Sequence, residues 1–235
     1  MKMKLTTEQI DQLYLFTRQH YVEYYDLQTE LVDHLANAIE TEWQQNPKFT
    51  FDEVLNKEFR KFGVFGFMDV VESRQIALGK KYNRIVWSHF RGFFTIPKII
   101  VTGFLILAVF YFFKEYYTIE IFRISMFFLI VSMLPFLFFA NRKIKKRKQE
   151  TGKIWLFEKI ISNYGTFPWL MILPIHFFNI IRIDRTTNPN DLVLFCMSLF
   201  IISMSLAVYI VLKIIPSKAE AYLKQTYPEY KLENL

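Results

Sequence analysis

The sequence predicts an all-α protein: a small cytosolic helical domain followed by a four-helix transmembrane region. Three observations predict it. Apolar residues recur at spacings of three and four over the first third of the chain, and long unbroken apolar runs fill the rest. Gly (7) and Pro (8) are scarce among 235 residues, which argues against a turn-rich β sandwich or barrel. Charge is unevenly divided. Residues 1–90 hold 11 Lys/Arg against 13 Asp/Glu, and residues 91–235 hold 18 against 9. A part that is both basic and very apolar fits membrane spans flanked by Lys and Arg better than a nucleic-acid binder. The single Cys, Cys196, excludes an internal disulfide framework and any Cys-rich zinc site.

The opening MKMKLTTEQIDQ has two lysines but no apolar core behind them, so it does not read as a signal peptide, and the N-terminus is expected to stay in the cytosol. The cytosolic domain is expected over residues 1–86. Thr6 with Gln9 forms a capping box for a first helix, whose apolar stripe is Ile10, Leu13, Tyr14 and Phe16. A second helix is expected from about Val22 to Gln45, with Tyr24, Leu27, Leu31, Leu35, Ala38, Ile39 and Trp43 on its apolar face and an acidic remainder. Asn46-Pro47 ends it. Thr50 and Glu53 form a second capping box, with Phe49 and Val54 placed for a hydrophobic staple. That helix stops at Gly63, and a fourth starts near Phe67.

The stretch YYDLQTELVDHLANAIE, followed after a break by FTFDEVLNKEFRKFG, resembles the HAAS-type helical domain that precedes multi-pass membrane segments in many bacterial proteins. Glu30, Asp33, His34, Phe59 and Gly63 carry the resemblance, which covers about 60 of the 235 residues. It implies a regulatory or docking module rather than a catalyst.

Residues 87–215 are expected to hold four transmembrane helices, at about 93–113, 121–140, 166–183 and 192–215. Each is 18–24 residues, enough to cross about 30 Å of hydrocarbon. Basic residues set the orientation. Lys80, Lys81, Arg84 and Arg91 precede the first span. The loop 141–165 carries the run Arg142, Lys143, Lys145, Lys146, Arg147 and Lys148. Lys218 and Lys224 lie in the tail 216–235. With four spans all three regions fall on one side, which puts both termini in the cytosol; the HAAS-type resemblance implies a bacterium and its inner membrane. The opposite loops, Lys114–Glu120 and Asp184–Asp191, are too short for a ligand-binding domain. Tyr82, Trp87, Phe90, Tyr116, Tyr117, Trp155 and Trp169 suit the headgroup level. Residues 153–165 are expected as a short amphipathic helix on the inner surface, and Ser217 with Glu220 as the cap of a helix in the tail.

Few residues offer chemistry. Glu30 and His34 share a helix face beside Asp33, but no second helix supplies an E-x-x-H, so salt bridges and hydrogen bonds within the domain account for them best. The third span carries Pro168, Pro174, His176 and Asn179. His176 and Asn179 form an intramembrane polar pair suited to helix packing, with proton transfer or substrate binding as the sharper alternative. Ser198, Ser203 and Ser205 suit close packing or interhelical hydrogen bonds. There is no H-E-x-x-H, G-x-S-x-G, P-loop or G-x-G-x-x-G, and Cys196 lies inside the fourth span, where lipid disfavours a thiolate. No catalytic, cofactor or metal residue is therefore expected.

The expected function is a non-enzymatic docking or regulatory subunit, an accessory component of a larger membrane assembly such as a transport or protein-export complex. Its partners are the lipid bilayer, another membrane protein or complex, and a cytosolic regulator. The basic run meets a partner or anionic lipid, with RNA or ribosome contact as a minority reading. The alternative is a small transporter or intramembrane enzyme using the third span.

Overall fold

The computed structural model describes residues 4–132, 135, 142, 145–146, 149–163 and 189–232, and all regular structure among them is helical. The chain forms two units. One comprises Met1–Leu78 with Ile144–Lys159, the other Gly79–Lys143 with Ile160–Leu235.

The first unit is built on α1 (Thr7–Gln19), α2 (Tyr25–Gln45) and α3 (Phe51–Arg60). Both expected capping boxes form. Gln9 N–H donates to Thr6 Oγ1 at 3.3 Å while Thr6 N–H donates to Gln9 Oε1 at 3.0 Å. Thr50 N–H likewise donates to Glu53 Oε2 at 2.8 Å, and Glu53 N–H returns to Thr50 Oγ1 at 3.4 Å. Each box satisfies two amide donors that a helix start leaves without intrahelical partners. The α2 stripe is the core of the unit: Leu27, Leu31, Leu35, Ile39 and Trp43 are all buried. Leu13 packs from α1, and Val54 and Leu55 from α3, with all three side chains buried.

One detail differs from the sequence expectation. Helix α2 begins at Tyr25, not Val22, because Tyr21 turns the chain in a left-handed conformation (φ 66°) and residues 22–24 run extended. Gln28, itself buried, donates from Nε2 to Val22 O at 2.7 Å and holds that connection. Phe49, at the expected staple position, is 43% exposed and lies beneath the Lys57 ammonium, 5.7 Å from its ring centroid.

After α3 the chain makes a tight turn. Gly63 (φ 79°) and Gly66 (φ 56°) both take left-handed backbone, which costs glycine little. Gly66 has a second reason to be glycine: a Cβ there would meet Cζ of the Phe59 ring at 2.9 Å. Phe67 is then driven inward, edge-on to Phe59 and Phe62 with ring centroids 5.0 and 4.8 Å apart. Helix α4 (Met68–Gly92) follows, and the division between the units falls within it.

The second unit contains the apolar helices. The expected first span, 93–113, is displaced: residues 93–97 form turns and α5 runs Lys98–Tyr116. Pro97 is the reason, since proline lacks an N–H and disfavours helical geometry in the residue before it. Helix α6 (Ile119–Val131) is capped by Thr118, whose Oγ1 accepts from Ile121 N–H at 3.2 Å. The rest of the expected second span lies mostly outside the described residues, and the expected third span, 166–183, lies wholly outside them. Helix α8 (Asp191–Tyr209) is capped by Asn190 and continues through a π-helical turn, Ile210–Ile214, to Ser217. The short α7 (Leu156–Ser162) precedes it in the chain, and its residues up to Lys159 belong to the first unit.

Among the described residues, α5 and the 27-residue run Asp191–Ser217 are long and apolar enough to cross a membrane. Their exposure separates them from soluble core helices. Only 17% of the apolar window of α5 is buried in the protein, and 44% of that in Asp191–Ser217. Ile100, Val101, Phe104 and Phe112 face outward. Apolar faces on this scale are unfavourable in water and natural in lipid. Inward, Phe113 of α5, Phe122 and Met126 of α6, and Leu194, Met197 and Ile201 of α8 form one buried cluster. At one end of the pair Lys114 Nζ meets Asp191 Oδ2 at 2.7 Å.

The tail forms α9 (Ala219–Thr226) and α10 (Glu229–Leu232). Ser217 does not cap α9; its hydroxyl donates back to Ile214 O at 2.7 Å. Instead α9 is held on α4. Lys81 Nζ donates to Thr226 Oγ1 at 2.8 Å, and His89 Nε2 lies 2.8 Å from the Tyr222 hydroxyl. Burial, with Lys218 and Lys98 nearby, holds the His89 imidazole below its ordinary pKa, and burial raises that of Tyr222. Both shifts favour the neutral form of each group.

Candidate docking surface

The most specific long-range structure in the first unit joins α2 to the residues after the basic run. Gly152 (φ 67°) turns the chain, and Lys153–Phe157 then pack on the start of α2. Tyr25 N–H donates to Ile154 O at 2.8 Å. Leu156 N–H donates to Asp26 Oδ1 at 3.0 Å. The two helices therefore cap each other: a carbonyl ahead of α7 takes an unsatisfied donor of α2, and a carboxylate in the first turn of α2 takes one of α7. Tyr24 offers no side-chain cap to α2, so the Ile154 carbonyl fills that need.

Aromatic packing seals this clamp. The Trp155 ring stands edge-on to Tyr25 with centroids 5.3 Å apart, and the Lys153 ammonium lies over the same Tyr25 ring at 4.1 Å from its centroid. Trp155, Leu156 and Phe157 are 0–1% exposed. The expectation of a membrane-surface helix over 153–165 is thus corrected at its start. The apolar side chains of 155–157 are consumed by protein packing, and Trp155 sits in a core rather than at the headgroup level.

Beside the clamp, Asp11, Tyr14, Leu15, Arg18 and Tyr25 line a groove of about 440 Å³. The Tyr14 and Tyr25 rings are nearly parallel, 7° apart in plane, with centroids at 6.5 Å. Leu15 is 54% exposed between one acid and one base. Such a surface can seat an apolar side chain and orient its charged neighbours.

Of the basic run, Arg142, Lys145 and Lys146 are described and exposed, with helical backbone. Lys146 approaches Glu150 at 3.6 Å, one turn on, an exposed pair worth at most a few tenths of a kcal/mol. Lys143, Arg147 and Lys148 lie outside the described residues, as do His176 and Asn179. Lys145 and Lys146 belong to the same unit as α1–α3, and Arg142 to the other.

The remaining candidates are occupied structurally. Glu30 pairs with Arg74, and His34 stands edge-on to Phe62 at 5.8 Å between centroids. Ser198 and Ser205 donate to Leu194 O and Ile201 O, each at 2.8 Å, within their own helix rather than across to another. Cys196 is exposed on the apolar helix α8. Sequence reasoning missed Asp26 and Ile154 as functional positions. A signal was available: IWLF at 154–157 is too apolar for a loop and too short for a span, so it needed a protein surface to cover it. Comparison of the chain with family models, curated proteins and solved structures gives no match.

Proposed function

We propose that the chain is a non-enzymatic docking or regulatory subunit of a bacterial inner membrane, carrying a cytosolic HAAS-type helical platform on four membrane helices. It serves a larger membrane assembly, such as a transport or protein-export complex, or a cytosolic regulator. The observation that carries this reading is the reciprocal capping of α2 and α7. It makes one platform from two distant parts of the chain, and the exposed Lys145 and Lys146 precede it by a few residues in the same unit.

The same contact supports the topology. Residues 24–26 and 154–156 pack in one unit and therefore share a compartment. If α5 crosses the membrane, the chain has to return before residue 153, and α6 with the apolar stretch to 140 is the segment available. The α4–α9 contacts work the same way. If α5 crosses, they support a tail on the side from which α5 departs, and a crossing by Asp191–Ser217 then calls for a companion between 163 and 191, where the third span is expected. This parity agrees with the placement of Lys and Arg.

Single cysteines at Thr118, Asn163 and Asn188 in a Cys196→Ser background test the topology in intact cells. An impermeant thiol reagent is expected to label positions 118 and 188 and to reach 163 only after the membrane is opened. Labelling of 163 from outside refutes it. Docking is tested by purification in mild detergent with mass spectrometry. A stoichiometric partner retained by the wild type and lost with Trp155→Ala supports the platform. A lone, monodisperse chain whose His176→Ala variant loses a transport or turnover activity refutes it.

A further inference from the structure

Between residues 80 and 91, helix α4 carries its basic residues on two separate faces. Lys81, Tyr82 and His89 turn toward the tail: Tyr82 is 2% exposed, and the other two make the bonds to Thr226 and Tyr222. Lys80, Arg84, Trp87 and Arg91 are all exposed. Their spacing of four, three and four, at 3.6 residues per turn, places them within about 60° of one another around the helix. Among the described residues, no carboxylate forms a salt bridge with Lys80, Arg84 or Arg91. Trp87 is 56% exposed and stacks on Phe90, with centroids 5.5 Å apart and planes 15° from parallel. Phe90 in turn meets Phe94 at 5.2 Å. The stripe ends seven residues before Lys98, where α5 begins.

We propose that this stripe is a binding surface for anionic phospholipid headgroups of the bilayer in which the chain is anchored. Three cations without carboxylate partners match phosphate in charge. An indole between them matches the headgroup level, where an apolar body with a polar edge is favoured. The adjoining apolar helix supplies the membrane at that position. A face of four side chains also falls short of the roughly 800 Å² per partner that a stable protein interface buries, whereas headgroup contact has no such minimum. Topology alone asks only for positive charge near the span; it does not ask that the cations share one face with tryptophan while Lys81 turns away. The inference rests on the membrane reading above and adds a lipid class and a site to it.

The test uses the full chain in nanodiscs of phosphatidylcholine containing an equal mole fraction of brominated phosphatidylglycerol or brominated phosphatidylcholine. The Trp87 contribution is the quenching that disappears in Trp87→Phe. Each cation near an anionic surface contributes roughly fivefold in local preference. Brominated phosphatidylglycerol is therefore expected to quench Trp87 several-fold more than its zwitterionic counterpart, less so in 0.5 M salt. The triple variant K80Q/R84Q/R91Q is expected to equalise the two lipids, and K80R/R84K/R91K to keep the difference. Equal quenching by both lipids in the wild type overturns the proposal while leaving the membrane reading intact. Absence of Trp87 quenching by either lipid overturns the proposal alone, and failure of the chain to enter nanodiscs overturns both. The wild-type comparison decides even if the triple variant does not insert.

Discussion

Replacing Asp26 by alanine removes the acceptor that caps α7 and leaves Leu156 N–H without it in a place that is 1% exposed. Losing a helix N-cap costs about 1 kcal/mol, within a range of roughly 0.5–2. An unsatisfied buried donor costs about 1–3 kcal/mol. These describe one lost interaction from two sides and are not added, so the expected loss is about 1–2 kcal/mol. It falls on opening of the clamp rather than on the unit as a whole, because Leu31, Leu35 and Ile39 of α2 do not touch the change. Hydrogen exchange by mass spectrometry on the full chain in nanodiscs reads this directly. At a factor of ten per 1.4 kcal/mol, peptides covering 154–162 are expected to exchange about 5- to 30-fold faster, with the α2 start at 25–28 following. Peptides covering 31–45 are expected to stay near wild type. Asp26→Asn keeps an acceptor oxygen and loses its charge, so its effect is smaller. Unchanged exchange at 154–162 refutes the reciprocal cap. Equal acceleration throughout residues 7–60 refutes it differently, by making Asp26 a support of the whole unit.

Two further predictions concern the first unit. Gly66→Ala meets both a left-handed backbone and the Phe59 ring at 2.9 Å, whereas Gly63→Ala meets only the backbone penalty, with nothing within 4 Å. The backbone term is about 1–2 kcal/mol, so Gly66→Ala is expected to lower the thermal midpoint clearly more than Gly63→Ala, and equal shifts refute the packing account. Glu53 accepts from Thr50 N–H, and that bond leads the lowering of its pKa below the carboxylate norm. A depressed folded pKa means that its contribution is complete above the unfolded value of about 4.3 and is lost as pH falls through the folded value. Glu53→Gln can keep the capping box without that titration. Its thermal midpoint is therefore expected to fall less than that of wild type between about pH 5 and 3, and parallel curves refute the assignment.

The parts legible in the sequence are those decided by neighbours in the chain. Thr6 with Gln9, and Thr50 with Glu53, announce helix starts because both partners of each bond lie three residues apart. The α2 stripe is legible because burial of Leu27 through Trp43 follows a local period. Pro97 shows the limit of a hydropathy reading. The apolar run begins at Phe93, but the backbone cannot be helical through Ile96-Pro97, so composition and helix boundary part company by five residues. The clamp was not legible because its partners are 130 positions apart. In sequence, Asp26 is one more acid on an acidic helix, and Trp155 is one more aromatic near a span.

The clamp nevertheless follows from simple demands once the partners meet. Each helix begins with amide donors that nothing in its own turn can satisfy. Thr6 and Thr50 solve this locally for α1 and α3. Tyr24 cannot do so for α2, and no serine, threonine or aspartate precedes Leu156 at 153–155 to do so for α7. Each start therefore depends on the other: Ile154 O serves Tyr25, and Asp26 serves Leu156. Trp155 closes water out of the exchange, which makes both bonds more valuable and their loss more costly. A mutual dependence of this kind opens as one event, since freeing Leu156 also withdraws Ile154 from α2.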